Sequence, residues 1–225
     1  MENNTGDPTG KAEIGLYPSG GGQLAGPMKD MQQDMEMLIR QACLAGATEI
    51  RQLSPSEIVV DERLVRFCSE PRCENYGLSS SCPPHVAGPE GFSRLREHCT
   101  IALVVRLEVP SAVLFSNERK EVMRFLHEIV AGIERSAVQL GYIGSKAFAG
   151  GSCKDLFCHD KPVCRVVSGQ GACRNPSMAR PSMSGFGINV GKMMESAGWP
   201  ATNNTSHSGQ SAEAMTWVAG LVMIG

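Results

Sequence analysis

The chain has 225 residues, a formal net charge of −2 and a pI of about 6.2, so it lacks the basic surplus that a general nucleic-acid binder needs. No apolar run reaches the roughly 18 residues that a membrane span requires, and the first residues lack the features of a secretory signal. We therefore expect a soluble cytoplasmic protein with no nucleic-acid partner and no membrane partner.

The first predicted boundary lies near Pro27. Residues 1–26 combine many glycines with little apolar surface, a composition that predicts a flexible N-terminal tail. From residue 27 the sequence takes on the pattern of a folded chain, and residues 27–225 are predicted to form a single domain. Apolar residues recur at helical spacing from Met28 to Ala42, and Gly46 suits the end of that helix.

Five segments after this helix are predicted to be strands. Short β-like pieces occupy 49–53 and 62–67, and a longer one, "TIALVVRLEV", is apolar on both faces, which favours a central position in a sheet. The segment "SKAFAG" predicts a further short strand, and "AMTWVAGLVMIG" a final one. The last two predicted strands come before and after the longer of the two cysteine-rich segments in the chain.

Two later helices are predicted from their periodicity. Residues 117–140 carry an apolar stripe and a charged face, and Gly141 ends the pattern. The stripe is predicted to consist of Val122, Phe125, Ile129, Ile133, Ala137 and Leu140. Helical spacing returns between Met183 and Ala197, although glycines weaken that helix. The fold class is therefore α/β, with helices packed on a roughly four-stranded sheet and two cysteine-rich loop insertions.

Nine cysteines are the unusual feature of the composition. In a reducing compartment such residues are metal ligands or reactive groups more often than disulfides, and an odd number argues against a fully paired framework. The two cysteine-rich segments have no apolar periodicity, so neither can be held in shape by a core of its own. A bound metal is the simplest agent that would order them.

The second of these segments contains four cysteines at uneven intervals. They are Cys153, Cys158, Cys164 and Cys173. Structural zinc sites favour paired C-x2-C turns, and no C-x2-C occurs in the chain. Four irons at the corners of a cube tolerate wider intervals, so these cysteines are predicted to bind one [4Fe-4S] cluster, with zinc as the alternative. Residues 151–181 also hold five basic and two acidic side chains, a surplus of three that offsets an anionic cluster.

The first segment holds three closely spaced cysteines, Cys68, Cys73 and Cys82. They are consistent with a three-cysteine cluster that has one open iron, or with a metal whose shell is closed by Cys99, His85 or Glu74, or with a loop staple. The sequence does not choose between these readings. His85 and His159 each stand near a candidate ligand and are potential ligands or hydrogen-bond partners of one.

The remaining cysteines and histidines carry no motif. Cys43 is expected to be a core residue of the first helix, and Cys99 a core residue before the central strand. His98, His127 and His207 have no predicted role. Motifs for nucleotide binding and for hydrolytic catalysis are also missing from the sequence.

The two segments together resemble a family described as predicted metal-binding proteins, domain of unknown function 2284. The matching pieces are "CSEPRCENYGLSSSCPP", "GGSCKDLFC", "CRNPSMARPSMSGFGINV" and "AGLVMIG", and the likeness runs from about residue 30 to the C-terminus. The resemblance implies that seven cysteines are associated with metal, namely Cys68, Cys73, Cys82, Cys153, Cys158, Cys164 and Cys173. Some relatives have a compact C-x2-C-x2-C arrangement in the second segment, and the wider intervals here depart from it. The family label implies no reaction.

Three functional hypotheses follow. The first is a cytosolic iron–sulfur protein that exchanges electrons with a partner enzyme and carries one or two clusters. The second is a zinc-stapled binding module, in which Arg174 and Arg180 help to present a surface for an anion or a protein. The third is an enzyme in which an open-site iron acts as a Lewis acid or redox centre, although no general acid or base stands out in the sequence.

Overall fold

An antiparallel sheet forms the centre of the computed structural model, which describes residues 30–69, 73–199 and 214–225. Within these residues the sheet has four strands in the order β1-β2-β4-β3. The strands are β1 Glu49–Leu53, β2 Ile101–Pro110, β3 Lys146–Phe148 and β4 Met215–Ile224. The α/β class and the roughly four-stranded sheet are confirmed. The predicted flexible tail lies outside the described residues.

Helices connect and cover the strands. They are α1 Met31–Leu44, α2 Gly88–Glu97, α3 Ser111–Leu114, α4 Arg119–Gln139, α5 Cys153–Phe157 and α6 Val190–Ser196. Short 3-10 helices occupy Pro55–Glu57, Glu62–Phe67 and Met183–Phe186. None of the helices in the described residues is both long and apolar enough to cross a membrane.

The central position predicted for the long apolar strand is confirmed, because β2 pairs with β1 on one side and with β4 on the other. Its side chains alternate between two apolar clusters. Leu103 and Val105 are buried with residues of α1 and α4 on one face, and Ala102 and Val104 are buried with Phe92 of α2 on the other. The continuous apolar sequence of β2 follows from this burial on both faces.

Three local predictions were wrong. Residues 62–67 form a 3-10 helix rather than a strand, because the Asp61 carboxylate accepts a hydrogen bond from the Arg63 N–H and caps the turn. The helical pattern between Met183 and Ala197 is interrupted at Gly187, whose φ of +69° is left-handed. Cys43 is exposed, since α1 packs through the side that carries Met35, Leu38 and Ala42.

The packing face of α4 is also rotated relative to its predicted stripe. Phe125 is 42% exposed at the rim between α1 and α4, whereas Leu126 and Val130 are fully buried. Val130 packs so closely on β4 that a Cβ at Gly220 would lie 2.5 Å from its Cγ1 atom. This close contact brings the neighbouring side of α4, including His127, to the start of the second cysteine segment.

Candidate metal centre

The second cysteine segment leaves the sheet after β3 and returns to nearly the same place. The Ala149 N–H donates to the Pro181 carbonyl oxygen at 3.0 Å, and Ala149 forms an isolated parallel bridge with Ser182. Residues 150–181 therefore form a closed excursion. Its first turn is α5, in which Cys153 and Leu156 are buried.

The four cysteines predicted to bind one cluster line a single cavity. Cys153, Cys158, Cys164 and Cys173 are joined around it by Ser79 and Ser80 of the first segment and by Asn175 and Ala179. The cavity lining also includes Lys154, Arg165 and Arg174, and none of the described residues that line it is an aspartate or a glutamate. Sequence intervals of five, six and nine positions are thus converted by folding into one thiol-rich, positively charged site.

Hydrogen bonds to backbone carbonyls hold these three cations in place. Lys154 Nζ donates to the carbonyl oxygens of Cys158 at 2.8 Å and Lys161 at 2.6 Å. Arg174 donates to the Val163 carbonyl at 3.1 Å, and Arg165 to the Gln170 carbonyl at 3.2 Å. Because these partners are neutral, the positive charge stays available to the thiols.

The two acidic side chains of the segment are engaged elsewhere. Asp155 accepts a hydrogen bond from Lys120 of α4 at 2.7 Å, and Asp160 accepts one from Lys161 at 2.5 Å. Both ion pairs are largely solvent-exposed and therefore contribute little stability. Because both carboxylates are paired elsewhere, the charged side chains among the described residues of the cavity lining are all cationic.

Several donors point at sulfur atoms. The Asn175 N–H donates to Cys173 Sγ at 3.3 Å, and the Asn175 side-chain amide donates to Cys158 Sγ, also at 3.3 Å. The Ser81 hydroxyl lies 2.8 Å from Cys153 Sγ. Such donors favour the thiolate form, which is the form that binds metal.

Two of the thiols have pKa values shifted in opposite directions. Burial raises the pKa of Cys153, an effect that the hydroxyls of Ser81 and Ser79 partly offset. Burial acts in the same direction on Cys164, but hydrogen bonds from the backbone N–H groups of Val167, Ser80 and Val166 outweigh it and lower the pKa. Cys164 is therefore the thiol of this pair that ionises more readily.

The two cysteine segments, which the sequence could not place relative to each other, meet in the structure. The Ser81–Cys153 contact joins residues 72 positions apart in the chain. Beside it, the Cys82 thiol donates to Ser152 Oγ at 3.6 Å, and the Ser182 N–H donates to the Ser81 carbonyl at 3.1 Å. The first segment therefore lies directly against the cavity formed by the second.

The three cysteines of the first segment also share one neighbourhood. Burial raises the pKa of Cys68, and the nearby thiols of Cys73 and Cys82 raise it further. The candidate fourth ligands are less favourably placed. His85 is exposed with its Nε2 atom 3.1 Å from the Gly77 carbonyl, and Cys99 lines a different groove with Ser54 and Arg96.

Neither segment presents a site already shaped around a single ion. Within the described ranges of the chain, no group of three or more His, Cys, Asp or Glu side chains is arranged to hold one metal ion. His159, a potential ligand on sequence grounds, is exposed on the loop. The four thiols of the second segment share one cavity.

The residue that sequence reasoning missed is His127. It is fully buried, with Nε2 3.0 Å from the Gly150 carbonyl, and its Nδ1 accepts the Arg180 N–H at 3.1 Å. Burial lowers the pKa of His127 to about 4, so the ring is neutral, with Nε2 as the donor to Gly150. One side chain of α4 thus holds both ends of the second cysteine segment.

Glu134 completes this anchor two turns further along α4. Its carboxylate accepts hydrogen bonds from Arg180 Nε at 2.6 Å and from the Ala147 N–H of β3 at 2.7 Å. The side chains of Arg180 and Glu134 are only 9% and 14% exposed. The sequence signal that could have identified His127 is its position, as a polar residue, on the side of α4 that also carries Leu126 and Val130.

The donor set fits a metal group that is ligated by thiolates and carries a net negative charge. Four thiols, hydrogen-bond donors aimed at sulfur and cations without acids are what such a group requires. The family model for "predicted metal-binding protein", domain of unknown function 2284, matches residues 51–224. No curated protein and no solved structure matches the chain.

Proposed function

Because the chain belongs to this family of predicted metal-binding proteins, we propose that it is a cytoplasmic iron–sulfur protein that exchanges electrons with a partner enzyme. In this proposal Cys153, Cys158, Cys164 and Cys173 hold one [4Fe-4S] cluster. The observation that carries it is the single cavity that these four thiols line together with three cations.

The arrangement of the thiols favours a cluster over a structural zinc ion. Zinc holds its thiolates at about 2.3 Å in a tight tetrahedron, usually supplied by paired C-x2-C turns. Here the chain intervals are wide, no C-x2-C pair occurs, and the four thiols line one shared cavity. A cluster has its irons at separate corners and suits such a set of ligands.

Cys153, Cys158, Cys164 and Cys173 would hold the [4Fe-4S] cluster, and the bound group would supply one-electron redox chemistry between partner proteins. The residues of the chain would tune that exchange. Lys154, Arg165 and Arg174 offset the negative charge of the ligated cluster, and Asn175 donates to two of the four sulfurs. Both effects stabilise thiolates in a site that is partly withdrawn from water.

The first segment is proposed to hold a second metal or cluster through Cys68, Cys73 and Cys82. Three neighbouring thiols on a short chain segment leave one position of a four-iron cluster without a cysteine ligand, which would be open to a small ligand. The mutual effect of these thiols on the pKa of Cys68 supports their proximity. If a substrate bound at that open position, the protein would be the iron–sulfur enzyme of the third hypothesis.

The test is the metal content of protein purified without oxygen. Iron, acid-labile sulfide and zinc are measured per chain, together with the visible absorption spectrum. Iron and sulfide in equal amounts, with a brown colour bleached by dithionite, support the proposal, and a colourless protein with stoichiometric zinc and no sulfide refutes it. About eight irons per chain would indicate two four-iron clusters, and about four would leave the first segment without one.

Single variants then separate the two segments. Cys164→Ser is expected to abolish the cluster of the second segment, and Cys73→Ser to remove only the metal of the first. Cys43→Ser is the matched control, because Cys43 is exposed on α1 and belongs to neither segment. If Cys164→Ser and Cys73→Ser lose the same single metal, the two-site arrangement is wrong.

A further inference from the structure

Three consecutive serines of the first segment lie against the thiols of the second. Ser79, Ser80 and Ser81 immediately precede Cys82, and two of them line the cavity of the second segment. The third, Ser81, has its hydroxyl 2.8 Å from Cys153 Sγ. We refer to residues 79–81 as the serine arm.

Ser79 has the least satisfied side chain of the arm. It is fully buried, and its Oγ atom has no hydrogen-bond partner within the described part of the chain. A buried hydroxyl without a partner costs about 1–3 kcal/mol, so native structures seldom leave one unpaired. Ser79 nevertheless lines the cavity together with Cys153. Its hydroxyl is therefore placed to donate to a sulfur in the site.

The other two serines reach different thiols. Ser80 lines the cavity together with Cys164, whereas Ser81 contacts Cys153. Either atom of the Ser81–Cys153 pair can donate while the thiol keeps its proton. Once Cys153 ligates a metal it has lost that proton and can only accept, so the serine must be the donor. Ligation therefore fixes the direction of this hydrogen bond, from the serine O–H to the cysteine sulfur.

We propose that the serine arm donates hydrogen bonds to the ligating sulfurs of Cys153 and Cys164 and thereby raises the reduction potential of the second segment's metal group. This inference rests on the proposed cluster. Reduction adds one negative charge, taken from the partner protein, and donors to sulfur stabilise that added charge. The reduced form is therefore favoured while the arm is in place.

The arm also connects the two cysteine segments. Ser81 is followed directly by Cys82, which is close to Cys68 and donates to Ser152. The hydrogen bonds that are proposed to tune the metal group of the second segment are thus supplied by serine side chains of the first segment. The arm is the place where the state of the first segment can affect the redox chemistry of the second.

The experiment measures the midpoint potential of the reconstituted protein by spectroscopic titration for the wild type and four variants. Ser79→Ala and Ser81→Ala are expected to shift the potential to more negative values. Ser81→Thr keeps the hydroxyl on a half-buried residue and should stay near the wild type. Ser111→Ala is the matched control, because Ser111 is also buried, its hydroxyl has no partner among the described residues, and it belongs to neither cysteine segment.

Iron and sulfide content are recorded for every variant, so that loss of the cluster can be distinguished from a change in its midpoint potential. Fully loaded Ser79→Ala and Ser81→Ala proteins with an unchanged potential would overturn the proposal, as would an equal shift in Ser111→Ala. If the folded variants lose the cluster, the arm holds the metal group instead of tuning its potential, and this outcome also overturns the proposal. A wild type without iron and sulfide would refute the proposed function itself, and the tuning role with it.

Discussion

The two cysteine segments differ in how the rest of the protein holds them. The second segment is closed by the contact between Ala149 and Pro181 and anchored to α4 by His127 and Glu134. The first segment is held by its own turns and by the contacts of Ser81 and Cys82 with the second segment. It also packs on residues that follow the second segment in the chain. Pro83, for example, packs on Gly185, where a Cβ would lie 3.0 Å from the proline ring.

This difference implies an order of dependence. The helix and sheet determine where the second segment lies, and Ser81 and Cys82 of the first segment lie against the second. Damage to the anchor on α4 should therefore affect both segments, whereas damage to the first should leave the second intact. The predictions that follow test this dependence, beginning with the largest expected effect.

The first prediction concerns the buried ion pair. Glu134→Gln leaves the Arg180 guanidinium buried without its counter-charge, so the free energy of unfolding should fall by about 3–5 kcal/mol. Urea denaturation measures the change. Glu90→Gln is the control, because its pair with Arg94 is exposed and should contribute under about 1 kcal/mol. Equal losses in the two variants would contradict the anchor.

The second prediction is a pH dependence due to His127. Its pKa is about 4 in the folded protein and 6.5 without the protein environment, so the unfolded chain binds more protons between these values. The free energy of unfolding should therefore fall as the pH falls from about 6.5 to about 4. The full contribution is about 3 kcal/mol, and it is present above pH 6.5.

His127→Gln tests this pH dependence. The glutamine retains one donor and one acceptor but does not titrate, so the fall in stability across this pH range should become shallower than in the wild type. His98→Gln is the control, since His98 is exposed. Parallel pH profiles for the wild type and His127→Gln would show that the buried imidazole is not the source.

The third prediction concerns the turn between Cys158 and Lys161. Lys154→Met removes two hydrogen bonds from an ammonium group to backbone carbonyls, and we expect a loss of about 2 kcal/mol. It also removes one of the three cations of the cavity, which should make the midpoint potential more negative. Lys192→Met is the control, because its pair with Glu195 is exposed on α6. Unchanged stability and potential would exclude this role.

The smallest effect is expected in the first segment. His85→Ala removes an exposed hydrogen bond to the Gly77 carbonyl and should cost about 0.5–1 kcal/mol. Metal analysis should show no change in the second segment, in keeping with the order of dependence. Loss of metal from the first segment in this variant would instead identify His85 as a ligand.

Much of the fold was predictable because its signals are local. The boundaries of β1 and the central position of β2 follow from short runs of apolar residues, and the length of α4 from its periodicity. Which side of α4 is buried was predicted only in part, since Phe125 lies at the rim and His127 in the interior. That rotation depends on how α4 crosses the sheet at Gly220, which no local pattern encodes.

The sequence by itself determined the chemistry that the chain can offer: seven cysteines in two segments, a surplus of positive charge, and strands apolar enough to form a sheet. Only the tertiary structure decided which of these groups meet. The contact between Ser81 and Cys153 spans 72 positions, and His127 joins Gly150 to Arg180 across a closed loop. Residue types and spacings describe neighbours along the chain, whereas these contacts depend on the order of the strands and on the closure of residues 150–181 against α4.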